Sequence, residues 1–252
     1  MEAAPILLRA KNKFSTMVQE LRLGEEIVHV TVGTLSAQQA IGSPGRPDFA
    51  LLGGKEVMIE AQFRDSFGQA FTNQPQSFDG HLEDVLHLDM SSINNRAIFI
   101  ATLNAVTADL GMVTGVRHCR DEEPEKCGGE IASRILREYG NVKVSLVGYQ
   151  PAILDHLTRT LGASNVKCSD LDNINIGSNK FGVQIVDGKT QNSNIIKWSD
   201  ISLVTSSTNV NNTFDELHEM TVSQGKRLIM FGVTGAGISA LFGLERICPL
   251  AH

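Results

Sequence analysis

From Glu130 onward the sequence alternates between helical and strand periodicity, and this alternation restricts the fold more than any other feature of the chain. Ile131, Ile135, Leu136 and Tyr139 fall on one helical face that stops at Gly140. Residues 142–147 form a continuous apolar strand closed by Gly148, and Ile153, Leu154, Leu157 and Leu161 make a second helix ended by Gly162. Strands follow at residues 166–171, 201–204 and 227–233, with Thr213-Phe214-Asp215-Glu216 spelling a capping box between the last two. Strands separated by helices of this length need crossover connections, so this half is predicted to be a doubly wound, mostly parallel sheet with helices on both faces. Residues 181–198, rich in Asn and Gly with a turn at Asp187-Gly188-Lys189, read as a hairpin or extended excursion between two sheet strands.

The first half has another rhythm. Phe14, Met17, Val18 and Leu21 make a short amphipathic helix stopped by Gly24. Val28, Val30 and Val32, then Val57, Ile59, Ala61 and Phe63, alternate with polar neighbours as half-buried strands do. Turn chemistry stands between them at residues 42–47 and at Gly53-Gly54. Residues 65–78 read as a polar loop, after which Asp79 can cap a helix carrying Leu82, Val85 and Leu86. The run at 97–110 fits a buried strand or a buried helix; its length and alanines favour the helix. The expectation is an α/β protein: a small α+β N-terminal domain of helix and antiparallel meander over residues 1–95, an interdomain helix over 96–112, and an α/β domain over 113–252.

Composition removes several function classes. With 22 Lys+Arg against 28 Asp+Glu in 252 residues, the net charge of −6 has the wrong sign for a general nucleic-acid binder. The acidic run around Asp121 to Glu125 reads as a solvated loop or first helical turn. No apolar stretch is long enough to span a bilayer and residues 1–10 lack signal-peptide character, so no membrane partner and a cytoplasmic location are expected. The four cysteines show no paired framework, and free thiols are expected.

In an open parallel sheet, ligands bind beyond the carboxyl ends of the strands. Four loops lie there. The turn 147–151 carries Gly148 alone where a dinucleotide fingerprint wants three glycines, so it reads as a phosphate cradle or as a plain tight turn. Asp170, 22 residues later, can accept hydrogen bonds from a ribose diol or simply order its own turn. Residues 205–213 include Thr205, Ser206, Ser207, Thr208 and Asn211, a concentration of hydroxyls and amides before a helix N-terminus that suits an anion or carboxylate, or caps the helix. Residues 232–237 are glycine-rich and carry Thr234. Separately, His118, Cys119 and Cys127 have soft-ligand chemistry without the paired spacing of structural zinc, so a metal site, buried thiols and redox chemistry all stay open. Cys168 and Cys248 read as small core residues. His29, His81, His87, His156 and His218 read as structural or surface histidines.

Taken together, Arg117-His118-Cys119 with Cys127-Gly128-Gly129, the turn 147–151, Asp170-Leu171-Asp172 with Asn175-Ile176-Gly177, the polar loop 205–213 and Phe231-Gly232-Val233-Thr234 resemble the "putative heavy-metal chelation" domain family. Residues 65–72 and 101–105 resemble its N-terminal companion domain. The resemblance implies an enolase N-terminal-like domain joined to a Rossmann-like domain, with a site in the cleft between them. It points to Asn104, Gly148, Asp170, Thr205 to Thr208, Asn211 and Thr234. One departure is Ser206, where the family pattern has a Gly after the first Thr.

The leading expectation is therefore a cytoplasmic protein that binds a small anionic or metal-chelating ligand between its domains, in heavy-metal chelation or metallophore handling, with a transition metal or metal chelate as the candidate cofactor. The alternatives are a nucleotide- or S-adenosylmethionine-dependent transferase using Asp170, and a non-catalytic assembly or interaction subunit. A homodimer is the oligomeric form considered, and whether the protein is an enzyme stays open.

Overall fold

A computed structural model describes residues 4–32, 42–43, 45–46, 48–49 and 56–252. The Gly53-Gly54 turn and part of the 42–47 turn lie outside the described residues.

Two sheets organise these residues. The chain opens with helix α1 (Ile6–Glu20), which buries Ile6, Leu7, Ala10, Phe14 and Val18 along one face. Strands β1 (Ile27–Val32), β2 (Val57–Phe63), β3 (Ser66–Thr72) and β4 (Phe78–His81) form an antiparallel sheet in the order β3-β2-β1-β4. Two readings from the sequence change here. The polar loop at 65–78 is largely β3, paired along its full length with β2 from Val57↔Thr72 to Phe63↔Ser66. Asp79 lies in β4 and pairs with His29, while helix α2 (Leu82–His87) starts from His81, whose backbone N–H donates to the Asp84 carboxylate.

Helix α3 (Ile93–Asp109) then crosses this sheet. Its residues from Arg96 to Thr107 are all buried, as befits a helix with no polar face. Phe99 meets Phe14 edge to face at 5.9 Å, and Gly68 lets β3 lie directly on the α3 backbone. The other side of α3 reaches the second sheet. One continuous core holds α1, α3 and the first sheet together with Val210, Phe214, Met230 and Ile238. Polar ties reinforce it: the Ile6 backbone N–H donates to Asp215, and buried Arg96 donates to the Val210 carbonyl at 2.6 Å.

The second sheet has the order β11-β10-β9-β5-β6-β8-β7. Its strands are β5 (Val144–Val147), β6 (Val166–Asp170), β7 (Asn179–Lys180), β8 (Val183–Asp187), β9 (Ile201–Thr205), β10 (Arg227–Phe231) and β11 (Arg246–Ile247). All neighbouring pairs are parallel except the β7/β8 hairpin. Helices α4 (Glu123–Tyr139) and α5 (Pro151–Leu161) cover one face, packing Ile131, Ile135, Leu154 and Leu157 on Leu146 and Leu203. Helices α6 (Gly188–Trp198) and α7 (Phe214–Val222) cover the other, with Ile195, Ile196 and Leu217 on Val147 and Val204. Helix α8 (Ala236–Phe242) returns the chain toward α3. The protein is thus α/β, with a small antiparallel sheet and a larger, mostly parallel one.

Two local readings are corrected. The excursion at 181–198 is β8 followed by α6, capped by the Asp187 carboxylate accepting from the Lys189 N–H, so Asp187-Gly188-Lys189 starts a helix. The capping box at Thr213 makes no side-chain cap hydrogen bond: Thr213 has helical rather than extended backbone angles (φ −112°, ψ −3°), and Asp215 accepts the Ile6 N–H.

Candidate functional site

Strands β6 and β9 lie on opposite sides of β5, so the order of the parallel sheet reverses between β5 and β9. In open α/β sheets such a reversal marks the place, beyond the carboxyl ends of the strands, where ligands commonly bind. Its centre is the turn Gly148-Tyr149. Gly148 has φ +92°, and a Cβ there would stand 2.5 Å from Thr205 Cγ2, so the β5 and β9 loops meet only because this residue is glycine. On the other side the Tyr149 N–H donates to Asp170 at 3.1 Å.

The β9 side is neutral and polar. Residues Ser206–Asn209 form a 3-10 turn in which the Ser207 N–H donates to Thr205 Oγ1, the Thr208 hydroxyl to the Thr205 carbonyl, and the Asn209 amide to the Ser206 carbonyl. Thr205, Ser207 and Asn211 remain half-buried at the mouth, whereas Ser206 and Thr208 are buried. Ser206 fits because room is made opposite it: Cβ atoms on Gly232 and Gly235 would stand 2.9 and 2.8 Å from its side chain.

The β6 side is acidic. Asp170 accepts from the backbone of Tyr149 and Asp172 and from the Asn175 amide. Glu56, at the start of β2, brings a third carboxyl into the field of Asp170 and Asp172, and desolvation first, then these two charges, push its pKa up. Arg46 and Asp48 approach the same edge: Arg46 pairs with Asp48 at 2.7 Å, Glu125 at 3.2 Å and Asp155 at 3.5 Å, and the Tyr149 hydroxyl donates to Asp48. Because the Glu56 pKa is raised in the folded state, stability is lost as pH rises from the usual carboxyl range through the folded value. Glu56→Gln is therefore expected to raise Tm at pH 8, by roughly 2–4 °C for each 1 kcal/mol relieved, and to leave it unchanged at pH 4. Paired thermal melts check this.

Asn104 and Thr234 do not line the crevice. Both are fully buried in the joint between the sheets. The Asn104 amide donates to the carbonyls of Gln69, Val233 and Thr234, and its Oδ1 accepts the Gly237 N–H at 2.7 Å. Thr234 Oγ1 accepts the Phe71 N–H. The remaining candidates from the sequence, Gly148, Asp170, Thr205 to Thr208 and Asn211, are brought to one place. Glu56 and Arg46 were missed, because neither stands in a motif and both lie in the chain ahead of β2, far in sequence from the parallel strands.

The soft-ligand group is rearranged as well. His118 Nδ1 bonds the Cys119 carbonyl at 2.6 Å, and its ring packs edge on against Phe71. Burial pushes its pKa down. The Cys127 thiol interacts with the thiols of both Cys119 and Cys248, so Cys248 joins a group from which sequence spacing had left it out. Among the described residues no three His, Cys, Asp or Glu side chains are arranged to hold one ion.

Comparison with known proteins places this α/β architecture. Residues 132–245 match the model of the DUF364 family, described as "Putative heavy-metal chelation". The match covers a little under half of the chain, and it falls on the family that the motifs resemble. A DUF364 protein of unknown function from Pyrococcus horikoshii aligns at TM-score 0.54 and 16% identity, covering 91% of this chain and 80% of its own. Another from Desulfitobacterium hafniense aligns at TM-score 0.52 and 14% identity, covering 74% of this chain and 72% of its own. At these identities the likeness is one of fold. No curated protein matches the chain. Among the described residues no helix is long and apolar enough to cross a membrane.

Proposed function

We propose that the protein binds a small anionic or metal-chelating ligand in the crevice between β5 and β9, within the general chelation role that the family description suggests. The observation that carries this reading is the meeting of two unlike banks at one glycine turn. Half-buried hydroxyls and an amide (Thr205, Ser207, Asn211) face the β9 side, and carboxyls (Asp170, Glu56) gather on the β6 side. A chelate offers anionic oxygens to the first bank and a cation to the second. Ligand oxygens complete the shell that the protein side chains do not close by themselves.

Isothermal titration of the full chain with Co(II)-citrate, against citrate alone and Co(II) alone, tests this. Saturable binding of the complex is expected, weakened about tenfold by Ser207→Ala and by Asp170→Asn, each removing one charge-assisted contact of about 1.5–3 kcal/mol at most. Absence of saturable binding of all three probes, or affinity unchanged in both variants, would sink the proposal. The position of Asp170 after the second strand of the sheet supports a nucleotide-binding transferase as the second reading. A thermal shift with adenosine nucleotides that disappears in Asp170→Ala would favour it.

A further inference from the structure

The polar loop at 205–213 is shaped from within. The Asn211 N–H donates to the Ser207 carbonyl at 3.0 Å, the Thr213 N–H to the Thr208 carbonyl at 2.9 Å, and the Thr208 hydroxyl to the Thr205 carbonyl at 2.7 Å. Bonds this local give a loop its form but do not fix where it sits. Its long-range polar anchors among the described residues are weaker and stronger in turn: the Asn209 amide stands 3.6 Å from the Met230 sulfur, a poor acceptor, whereas the Val210 carbonyl accepts Arg96 Nε at 2.6 Å.

Arg96 lies in the first turn of α3 and is only 8% exposed. Its Nη1 donates at 2.8 Å to both the Met90 and the Ser91 carbonyls, in the turn ahead of the helix. Among the described residues no carboxylate pairs with it, and burial pulls its pKa down. A buried cation without a counter-charge is costly, and a neutral amide could satisfy a single carbonyl with less penalty. What a guanidinium adds is a rigid planar fork with donors on two sides, and here the two sides grasp two separate segments. The peptide it holds is well placed. The Val210 carbonyl and the Asn211 N–H belong to one planar group, so Arg96 on its oxygen and the Ser207 carbonyl on its hydrogen form a single line of contacts. Ser207 and Asn211 are two of the half-buried groups at the crevice mouth.

We propose that Arg96 is a positioning residue of the crevice: acting through the Val210–Asn211 peptide, its fork fixes Ser207 and Asn211 at the places from which they meet a ligand. The proposal rests on the ligand reading given above and adds to it a dependence on the first half of the chain. The neutral bank is then set by α3 and the turn before it, not by the parallel sheet alone. Geometry rather than charge is what Arg96 supplies, since its donors are spent on backbone carbonyls.

Arg96→Met and Arg96→Lys test this in the full chain, the second keeping the charge while removing the fork; as the milder change it also serves if Arg96→Met does not fold. Hydrogen–deuterium exchange reads the loop without any ligand. In both variants the amides of 206–213 should exchange at least about tenfold faster than in the wild type, with those of β5 and β6 unchanged. Isothermal titration with Co(II)-citrate, well below the melting temperature of each variant, reads the site: affinity should fall about tenfold in both. A residue needed for stability alone would lower Tm and leave the affinity of the folded protein as it was. Unchanged loop exchange in either folded variant, or exchange raised equally along the whole chain, would overturn the proposal. So would wild-type affinity in Arg96→Met, or in Arg96→Lys, where it would show that charge suffices. If the wild type takes up no Co(II)-citrate, the ligand reading falls by itself, and loop exchange alone decides whether Arg96 sets the bank.

Discussion

Asn104→Ala is expected to lower the unfolding free energy by about 3–5 kcal/mol, among the largest effects available in this chain. The side chain is fully buried in the middle of α3, where a polar residue is tolerated only if all its hydrogen-bonding capacity is used. It is used in full: three carbonyls take the amide hydrogens at 2.9, 3.2 and 3.2 Å, and Oδ1 takes the Gly237 N–H. Truncation strands these groups in the joint between β3, the loop after β10 and the start of α8. At roughly 2–4 °C per kcal/mol the melting temperature should fall by about 10 °C. Asn211→Ala, at the half-buried crevice mouth, should cost less than about 0.5 kcal/mol. Urea titrations of both variants decide the matter, and a loss below about 1 kcal/mol for Asn104→Ala would show that the joint repacks.

Gly68→Ala should be comparably severe for a steric reason. A Cβ at that position would lie 2.2 Å from Ala105 N, 2.5 Å from Ala101 O and 2.8 Å from Asn104 C. These are backbone atoms of α3, so no side chain can rotate away; the helix must lift off β3. The cost is set at or above the upper end of ordinary overpacking, about 3 kcal/mol. Gly111→Ala isolates the other penalty, because its φ is +67° yet nothing stands within 4 Å of the new methyl. That variant should lose only about 1 kcal/mol through backbone conformation. Thermal melts that ranked Gly68→Ala no lower than Gly111→Ala would mean that the β3/α3 contact yields cheaply.

The same contact explains what sequence reading missed. In β3 the residues facing α3 are Gly68, Ala70 and Thr72, small enough for the sheet to sit on the helix backbone. Such a face carries almost no hydrophobic signal, and so the segment looks like a polar loop. Helix α6 hides in another way: its first turns read Lys-Thr-Gln-Asn-Ser-Asn, and only Gly188, Ile195 and Ile196 are buried. The long helix α3, by contrast, was resolved from length and composition, and its burial on every side agrees with its lack of a polar face.

At the candidate site the loops were legible and the partners were not. Strand ends announce themselves through Gly148, Asp170 and the hydroxyl run at 205–208, since periodicity tells where a parallel strand stops. Glu56 meets Asp170 across more than 100 residues, and Cys248 reaches Cys127 only when the tail lies along Arg117. Neither carries a local signature.

The sequence by itself determined the alternation of helix and strand, the parallel character of the second sheet and the loops that surround its switch point, because these follow from periodicity over a few residues. Tertiary structure alone decided that the two sheets share one core through α3, that Asn104 and Thr234 are buried in the joint between them, and that Arg246 donates to the carbonyls of Thr114 and Gly115 across the chain. The physical reason is range. Backbone preference and amphipathic spacing are local, whereas burial, charge compensation and close backbone approach depend on which distant segments the packing brings together.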